Sequence, residues 1–196
     1  MSAPRIILAS TSRYRADLLR RLLPHFEQVA PGIEEAYLKN ESPGNRAQRL
    51  ARTKARAVTD GLRDAVVIGS DQVAELDGRV LDKPGDVATA RIQLAASSGR
   101  SVHFHTALCV IDTRVQPITE YMASDATTVR FRELGEAEIA RYVEREQPLD
   151  CAGSFKCEAL GISLFEAIDS HDPTALVGLP LIALARFLRE CGLDAP

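Results

Sequence analysis

The chain has 196 residues, of which 45% are hydrophobic and 26% charged, which is the composition of an ordinary soluble globular protein. Its formal net charge of -3 argues against a broad electrostatic surface for nucleic acid or anionic membranes. The sequence has no apolar run near the ~20 residues that span a bilayer, and the N-terminal MSAPRIILAS lacks the regions of an export signal. We therefore expect one domain over residues 1–196 that is cytoplasmic and has no nucleic-acid or membrane partner.

The first third of the chain predicts two short strands and two helices. RIILAS reads as a buried strand, and the spacing of apolar residues from Arg13 to Leu23 predicts a helix that Pro24 stops. FEQVAP suggests a second strand. A second helix begins with Ser42 as its N-cap and Pro43 at its first position, and Gly61 closes it.

The next segment, VVIGSDQVAEL, is a strand-like apolar run that carries Asp71 and Gln72 in its middle. Burying an unpaired carboxylate is costly. Either the strand stops at Gly69 and Asp71 begins a turn, or the acid faces a site that needs a negative charge. Asp77-Gly78 then predicts a two-residue hairpin turn.

The rest of the chain alternates helices with strands. A helix capped by Asp86 should run to about Ala96, and SVHFHTALCVID and EYMASDATTVRF should form a long antiparallel pair. GEAEIARYVERE predicts a helix, LGISLFEAID a strand, and Asp172-Pro173 the start of a C-terminal helix ending near Gly192. Hairpins interrupt the helices, so the prediction is a mixed α/β fold and not a regular doubly wound array.

The cysteines carry no metal or disulfide pattern. None of the four forms a C-x-x-C pair, and the histidines are not spaced around them as in a zinc site. Reduced cysteines agree with a cytoplasmic protein.

The stretch ASTSRYR joins the first strand to a helix, and this arrangement is typical of an anion site. Free backbone N–H groups at a helix N-terminus attract anions, Ser10 adds a hydroxyl, and Arg13 and Arg15 add guanidinium groups suited to phosphate. The alternative is that these residues only cap the helix and face solvent.

Further acids and lysines lie at the ends of predicted elements. Glu34 and Glu35 follow a strand, Lys54 is on the second helix, and Lys83 follows the hairpin. Lys156 and Glu158 lie in a loop of small residues and would emerge on the same side if that loop is extended. Singly, each is better explained as a solvated surface charge. Together they are the groups that hold a polyphosphate and its divalent metal.

Four stretches of the chain resemble the Maf family of nucleoside triphosphate pyrophosphatases. They are LASTSRYRADLL, SDQV followed by DGRVLDKP, AGSFKCEALGISLFE, and VGLPL, in the order and spacing of the family. The resemblance implies a single two-lobed domain with a largely antiparallel, long-stranded mixed sheet flanked by helices, similar to inosine triphosphatases. It also suggests a homodimer.

Finer detail resembles the branch of the family that acts on 7-methyl-GTP. This chain has Ser70-Asp71-Gln72 where the dTTP/UTP branch has Ala-Asp-Thr, and its loop 154–159 also follows the 7-methyl-GTP pattern. One departure is Tyr14, where that branch often has tryptophan.

The resemblance implies a hydrolase for acid anhydrides that removes modified nucleotides by splitting the α–β phosphate bond. Asp71 matches the catalytic proton acceptor or metal ligand, and Glu35 is a better second metal-site acid than Glu34, with Mg²⁺, Mn²⁺ or Co²⁺ as the cation. The implied phosphate ligands are Ser10, Arg13, Arg15, Lys54, Lys83 and Lys156. Tyr14, Gln72 and Glu158 are the implied specificity residues, since 7-methylguanine is a cation that an aromatic face and an acid would select.

Two alternatives to this function stay open at the sequence level. One is a sister enzyme with the same chemistry on dTTP, UTP or CTP. The other is a non-catalytic nucleotide-binding regulator of cell division, against which the presence of Asp71 as a candidate base argues.

Overall fold

The strands of the chain form one mixed sheet in the computed structural model, which describes residues 4–194. The strands are β1 (Arg5–Leu8), β2 (Glu27–Gln28), β3 (Ala65–Leu76), β4 (Arg79–Leu81), β5 (Ser101–Asp112), β6 (Thr119–Phe131) and β7 (Phe165–Asp169). Over the described residues their order is β2-β1-β3-β5-β6-β7, with β4 beside β3. β1 is parallel to β2 and β3, whereas β3–β4 and β6–β7 are antiparallel pairs. The predicted mixed α/β class is confirmed.

The α-helices are α1 (Arg13–Leu19), α2 (Pro43–Thr59), α3 (Val87–Ser97), α4 (Glu136–Glu146) and α5 (Leu181–Glu190). Ser42 and Asp86 cap α2 and α3 as predicted, because their side chains accept from the backbone N–H groups of Asn45 and Thr89. None of the helices over residues 4–194 combines the length and the apolar character that crossing a bilayer requires. Residues 1–3, which belong to the N-terminal stretch examined for an export signal, lie outside the described residues.

Helix α1 is shorter than its apolar spacing predicts. It ends at Leu19 and not at Leu23. Beyond it the backbone N–H groups of Arg21 and Leu22 bond three residues back, to Leu18 and Leu19, so the last turn tightens before Pro24. Leu22 and Leu23 still pack against the core, which explains why their spacing looks helical.

Two predicted boundaries near the C-terminus are wrong. Residues 160–164 form a short 3₁₀ helix, and only Phe165–Asp169 is strand. The last helix begins at Leu181, because the buried Asp172 carboxylate accepts from the backbone N–H of Thr174 at 2.9 Å and of Ile182 at 2.7 Å. Asp172 therefore caps α5 across a folded loop instead of starting a helix itself.

Strand β3 is continuous through its polar residues. It runs for 12 residues from Ala65 to Leu76, so the alternative in which the strand stops at Gly69 and Asp71 begins a turn is wrong. The Asp77-Gly78 turn is confirmed, since both residues have positive φ and Leu76 pairs with Arg79.

The chain divides into two compact units, the same number as the predicted lobes. The first comprises Met1–Asp71, Thr106–Asp125 and Asp172–Pro196, and the second comprises Gln72–His105 and Ala126–His171. The first unit packs aliphatic side chains of β1, β3, β5, α1 and α5 into its core. The second is built around edge-to-face contacts of Phe104, Phe131, Phe155 and Phe165, whose ring centroids lie 4.7–5.6 Å apart. That residues 1–196 form one domain stays a prediction.

Candidate active site

A glycine in β3 allows helix α2 to approach the strand very closely. A Cβ at Gly69 would lie 2.4 Å from the carbonyl oxygen of Ala51 and 2.7 Å from the backbone nitrogen of Ala55. Residues 69 and 71 lie on the same face of the strand. The helix that packs on Gly69 therefore brings Lys54 to Asp71, and the Lys54 Nζ donates to the Asp71 Oδ1 at 2.6 Å.

Asp71 and Lys54 form a buried ion pair, with side chains that are 7% and 8% exposed. Burial raises the pKa of the Asp71 carboxyl above its ordinary value of 3.8, and the nearby charges of Lys54 and Arg15 oppose that rise. A carboxylate with a raised pKa is a stronger proton acceptor than an exposed aspartate. The sequence signal for this close helix contact is the glycine inside an apolar strand.

Glu35 shares the same lysine. Its Oε1 lies 2.7 Å from the Lys54 Nζ, and its side chain is 48% exposed, so it reaches the pair from the solvent side. Its neighbour Glu34 is exposed. One ammonium group thus holds two carboxylates, and their mutual repulsion contributes to the raised pKa of Asp71.

Glu35 and Asp71 are the two carboxylates of this site that could hold a divalent cation, and both contact the Lys54 ammonium group. Among residues 4–194 no group of three His, Cys, Asp or Glu side chains is placed to hold a metal ion. Mg²⁺ in nucleotide sites is commonly bound through one or two carboxylates plus water and substrate phosphates. Glu35 and Asp71 are the pair that meets this description.

The turn between β1 and α1 brings Ser10 and Arg15 together. The Ser10 hydroxyl oxygen is buried and accepts from the backbone N–H of Ser12 at 3.1 Å and from the Arg15 Nη1 at 3.5 Å. Burial lowers the pKa of Arg15, whereas the negative charges of Asp71 and Glu35 raise it. Arg15 is therefore close enough to both carboxylates to interact with their charges.

Gly178 is a positioning group that the sequence did not reveal. Its carbonyl oxygen accepts from the Arg15 Nε and from the Ser70 hydroxyl, both at 2.9 Å. Gly178 has a φ of +120°, which favours glycine. The VGLPL stretch thereby fixes the Arg15 side chain. Ser70, which precedes Asp71 in β3, donates to the same carbonyl oxygen.

Arg13 and Tyr14 contact each other. The Arg13 Nη2 donates to the Tyr14 hydroxyl at 2.7 Å, and the Arg13 guanidinium carbon lies 4.8 Å from the centroid of the Tyr14 ring. A cation of the chain itself therefore already stands over the aromatic ring that was predicted to stack on a cationic base.

The other predicted residues belong to the second unit. Lys83 is exposed just after β4, Gln72 is partly buried in β3, and Glu158 is exposed. Residues 157–159 form a turn, so the condition under which Lys156 and Glu158 would emerge on one side, an extended loop, is not met. The reason is that the Lys156 carbonyl accepts from the N–H groups of Ala159 and Gly161.

Lys156 has a structural partner at the end of α4. Its Nζ donates to the backbone carbonyl of Glu146 at 2.7 Å and lies 3.4 Å from the Glu146 carboxylate. The Lys156 side chain is 12% exposed, so the reading as a solvated surface charge is wrong. A lysine side chain that reaches the last turn of a helix can donate to the carbonyl groups there that have no helical partner.

Comparison with known proteins relates the sequence of this chain to a family. The sequence pattern described as Maf-like protein matches residues 5–191. A protein of Xanthomonas oryzae pv. oryzae named 7-methyl-GTP pyrophosphatase is 58% identical over 193 residues, covering 98% of this chain and 100% of its own length. A protein of the same name from Aromatoleum aromaticum is 52% identical over 196 residues and covers both chains completely.

A solved structure, described as a HAM1 protein from Coxiella burnetii, is also similar. It shares 15% identity with a TM-score of 0.48, and the alignment covers 97% of this chain and 99% of that one. The sequence match over nearly the whole chain is far stronger than this likeness. On that match, the chain belongs to the Maf-like protein family.

Proposed function

We propose that this protein is a nucleoside triphosphate pyrophosphatase that converts 7-methyl-GTP to 7-methyl-GMP and pyrophosphate, a reaction that removes a modified nucleotide. The observation that carries the proposal is the buried Asp71 carboxylate, held at 2.6 Å by Lys54 and carrying a raised pKa. Two relatives that are 58% and 52% identical carry the name of this activity. A hydrolase for acid anhydrides needs a base for water, and this carboxylate is suited to that task.

In the proposed reaction, Asp71 accepts a proton from the water that attacks the α-phosphorus. Lys54 stabilises the ionised form of Asp71, which burial alone would disfavour. Arg15, which donates to the Ser10 hydroxyl, and Arg13 supply positive charge that neutralises the phosphates. Contact of Lys54, Lys83 and Lys156 with the phosphates stays a prediction.

We further propose that Glu35 and Asp71 hold a divalent cation, either Mg²⁺, Mn²⁺ or Co²⁺. Support comes from the two carboxylates that share Lys54 and from the preference of such ions for few carboxylates plus phosphate. Such a cation would lower the pKa of the attacking water and neutralise phosphate charge.

The preference among bases depends on Tyr14, Gln72 and Glu158. A methylated guanine is a cation, so it gains about 0.5–2 kcal/mol from an aromatic face that neutral guanine does not gain. Arg13 already lies over the Tyr14 ring. We therefore expect stacking to contribute a modest preference, and Glu158 to contribute by its charge.

The test is a panel of nucleotides with wild-type protein and the Asp71→Asn variant. Pyrophosphate release is measured from 7-methyl-GTP, GTP, dTTP, UTP and CTP, each with Mg²⁺, Mn²⁺, Co²⁺ or a chelator. We expect the highest kcat/KM on 7-methyl-GTP, no turnover with chelator, and a loss of about 10²–10⁴-fold in kcat/KM in the variant. A higher kcat/KM on dTTP, UTP or CTP would agree with pyrophosphatase chemistry but refute the assignment to the 7-methyl-GTP branch. Nucleotide binding without turnover would indicate a non-catalytic regulator.

A homodimer in the cytoplasm also stays a prediction. Light scattering tests the oligomer directly, because one chain has a mass of 21.4 kDa. A mass of a single chain at micromolar concentration would contradict the dimer.

A further inference from the structure

Glu35 lies in a segment that forms no backbone hydrogen-bond ladder of a helix or strand. Residues 29–38, between β2 and α2, have neither helix nor strand. Ordering such a segment costs conformational entropy, which must be offset by specific contacts. Since the Glu35 carboxylate lies 2.7 Å from the Lys54 Nζ, something must hold the backbone of this segment near α2.

Arg46, in the first turns of α2, makes one of these contacts. Its Nη2 donates to the Glu35 carbonyl oxygen at 3.1 Å, and its guanidinium carbon lies 3.4 Å from the centroid of the Tyr37 ring. Arg46 is only 7% exposed, and its Nη1 has no hydrogen-bond partner among the described residues. Burying an unpaired N–H is unfavourable, so the contacts with Glu35 and Tyr37 must compensate for it.

Arg49, less than one turn further along α2, makes the next contacts. Its Nη2 donates to the Ala36 carbonyl oxygen at 3.0 Å. Its Nε and Nη2 also bind the two carboxylate oxygens of Glu41, each at 2.6 Å, in a bidentate pair. The hydrogen bonds from Arg49 lower the pKa of the Glu41 carboxyl below its ordinary value and so favour its ionised form.

Together these arginines tie the segment 35–41 to α2 at both its ends. The same helix carries Lys54, the common partner of Glu35 and Asp71. The position of the Glu35 carboxylate relative to Lys54 thus depends on the backbone anchor that Arg46 and Arg49 supply.

We propose that Arg46 and Arg49 are positioning residues for the reaction, which act by holding Glu35 at Lys54. This inference rests on the proposed function, since it assigns Glu35 a part in the chemistry. In the contacts above, neither arginine donates to the carboxylate of Glu35 or of Asp71. They act through the main chain of residues 35 and 36.

The experiment is a double-mutant cycle between Arg46→Met and Glu35→Gln, read as kcat/KM for 7-methyl-GTP. Arg46→Met should lower kcat/KM about tenfold in the wild-type background, since a misplacement of about 1 Å is enough for such losses. In the Glu35→Gln background the same change should lower it less than twofold, because the group being positioned is already gone. Arg49→Met should behave alike and serves if Arg46→Met does not fold.

Arg52→Met is the matched control. Arg52 is on the same helix and also pairs with an acid, Glu120 at 2.7 Å, but it does not contact the segment 35–41 in the bonds described. Its kcat/KM should stay within twofold of wild type. Amide hydrogen exchange gives a readout that is independent of turnover: in both Arg46→Met and Arg49→Met, exchange should accelerate in residues 33–41 and stay unchanged in β3.

The outcomes separate this proposal from the proposed function. Equal losses with and without Glu35 would overturn the positioning role, as would unchanged exchange in residues 33–41. If Glu35→Gln alone keeps full activity, Glu35 has no part in the reaction and there is nothing to position. If the wild type releases no pyrophosphate from any nucleotide, the proposed function fails, and hydrogen exchange still decides whether the arginines order the segment.

Discussion

The substitution Gly69→Ala tests how closely helix α2 must pack on β3. The added methyl would lie 2.4 Å from the Ala51 carbonyl oxygen, 2.7 Å from the Ala55 nitrogen and 2.9 Å from the Ala55 Cβ. Two of these three atoms are backbone, so no side-chain rotation relieves the overlap. Even removing the third, with Ala55→Gly, would leave the two closest contacts.

The size of the effect follows from these distances. An ordinary contact needs about 1 Å more room than the Ala51 oxygen allows, so α2 must move by about that distance. Lys54 is three residues further along the same helix, and its 2.6 Å bond to Asp71, lengthened by ~1 Å, is no longer a hydrogen bond. Overpacking of this kind costs about 1–3 kcal/mol of the free energy of unfolding. In a chain of this size that lowers Tm by about 2–12 °C.

The assay is pyrophosphate release from 7-methyl-GTP, with Tm measured on the same preparations. We expect kcat/KM to fall about 10²-fold, because misplacement of a catalytic group by ~1 Å has that effect. Gly135→Ala is the control, since it adds the same methyl where no atom lies within 4 Å, and its kcat/KM should match wild type. If Gly69→Ala keeps kcat/KM within twofold and an unchanged Tm, the close contact does not set the Lys54–Asp71 pair and the reasoning is wrong.

Three further predictions concern the charged residues. Asp71→Asn should lower kcat/KM by about 10²–10⁴-fold with the fold intact by circular dichroism, and residual activity above about a tenth of wild type would exclude the role of base. Because burial raises the pKa of Asp71 above 3.8, kcat/KM should fall with acid around a pKa above that value. Because the pKa of Asp71 is higher in the folded state than in the unfolded state, Asp71 contributes most to the free energy of unfolding at pH below its unfolded pKa. This contribution is lost as pH rises through the raised folded pKa. The Tm of wild type measured with chelator should therefore decline over that window relative to Asp71→Asn, and parallel curves would contradict the raised pKa. Lys156→Ala and Lys83→Ala should each lower kcat/KM in a salt-dependent way, but only Lys156→Ala should lower Tm, because only Lys156 bonds the end of α4; unchanged kinetics in both would remove them from the phosphate site.

Much of the fold followed from local signals, because those signals act over a few residues. Ser42, Asp86 and the Asp77-Gly78 turn all do what their neighbours in sequence dictate. The errors arose where a distant residue decides. Asp172 looks like a helix start by sequence, yet it accepts from Ile182 after a folded loop.

The candidate site shows the same contrast between local signals, which predict its residues, and distant contacts, which the sequence does not reveal. Residue type and motif predict the site residues Asp71, Lys54, Glu35, Ser10 and Arg15. The structure brings Lys54 into contact with both acids and Ser10 into contact with Arg15. The supports of these residues were missed, since the Gly178 carbonyl lies far away in sequence from the Arg15 side chain that it binds. The motif predicts Lys156 as a phosphate ligand, whereas its bond to the end of α4 leaves no signal in the spacing of residues.

Helix α2 therefore links the stability of the first unit to its chemistry. One of its faces packs on Gly69 and carries Lys54 to Asp71, while Arg46 and Arg49 hold the segment that carries Glu35. Two carboxylates and one ammonium leave this cluster with a net negative charge, and the nearby Arg15 brings it close to neutrality. A nearly neutral cluster is what allows Asp71 to be buried in ionised form at all, since an unpaired buried carboxylate would take up a proton. Substitutions that move α2 while keeping Lys54 should therefore lower activity more than stability, because the pairing of Lys54 with two acids depends on distances that the packing of α2 sets.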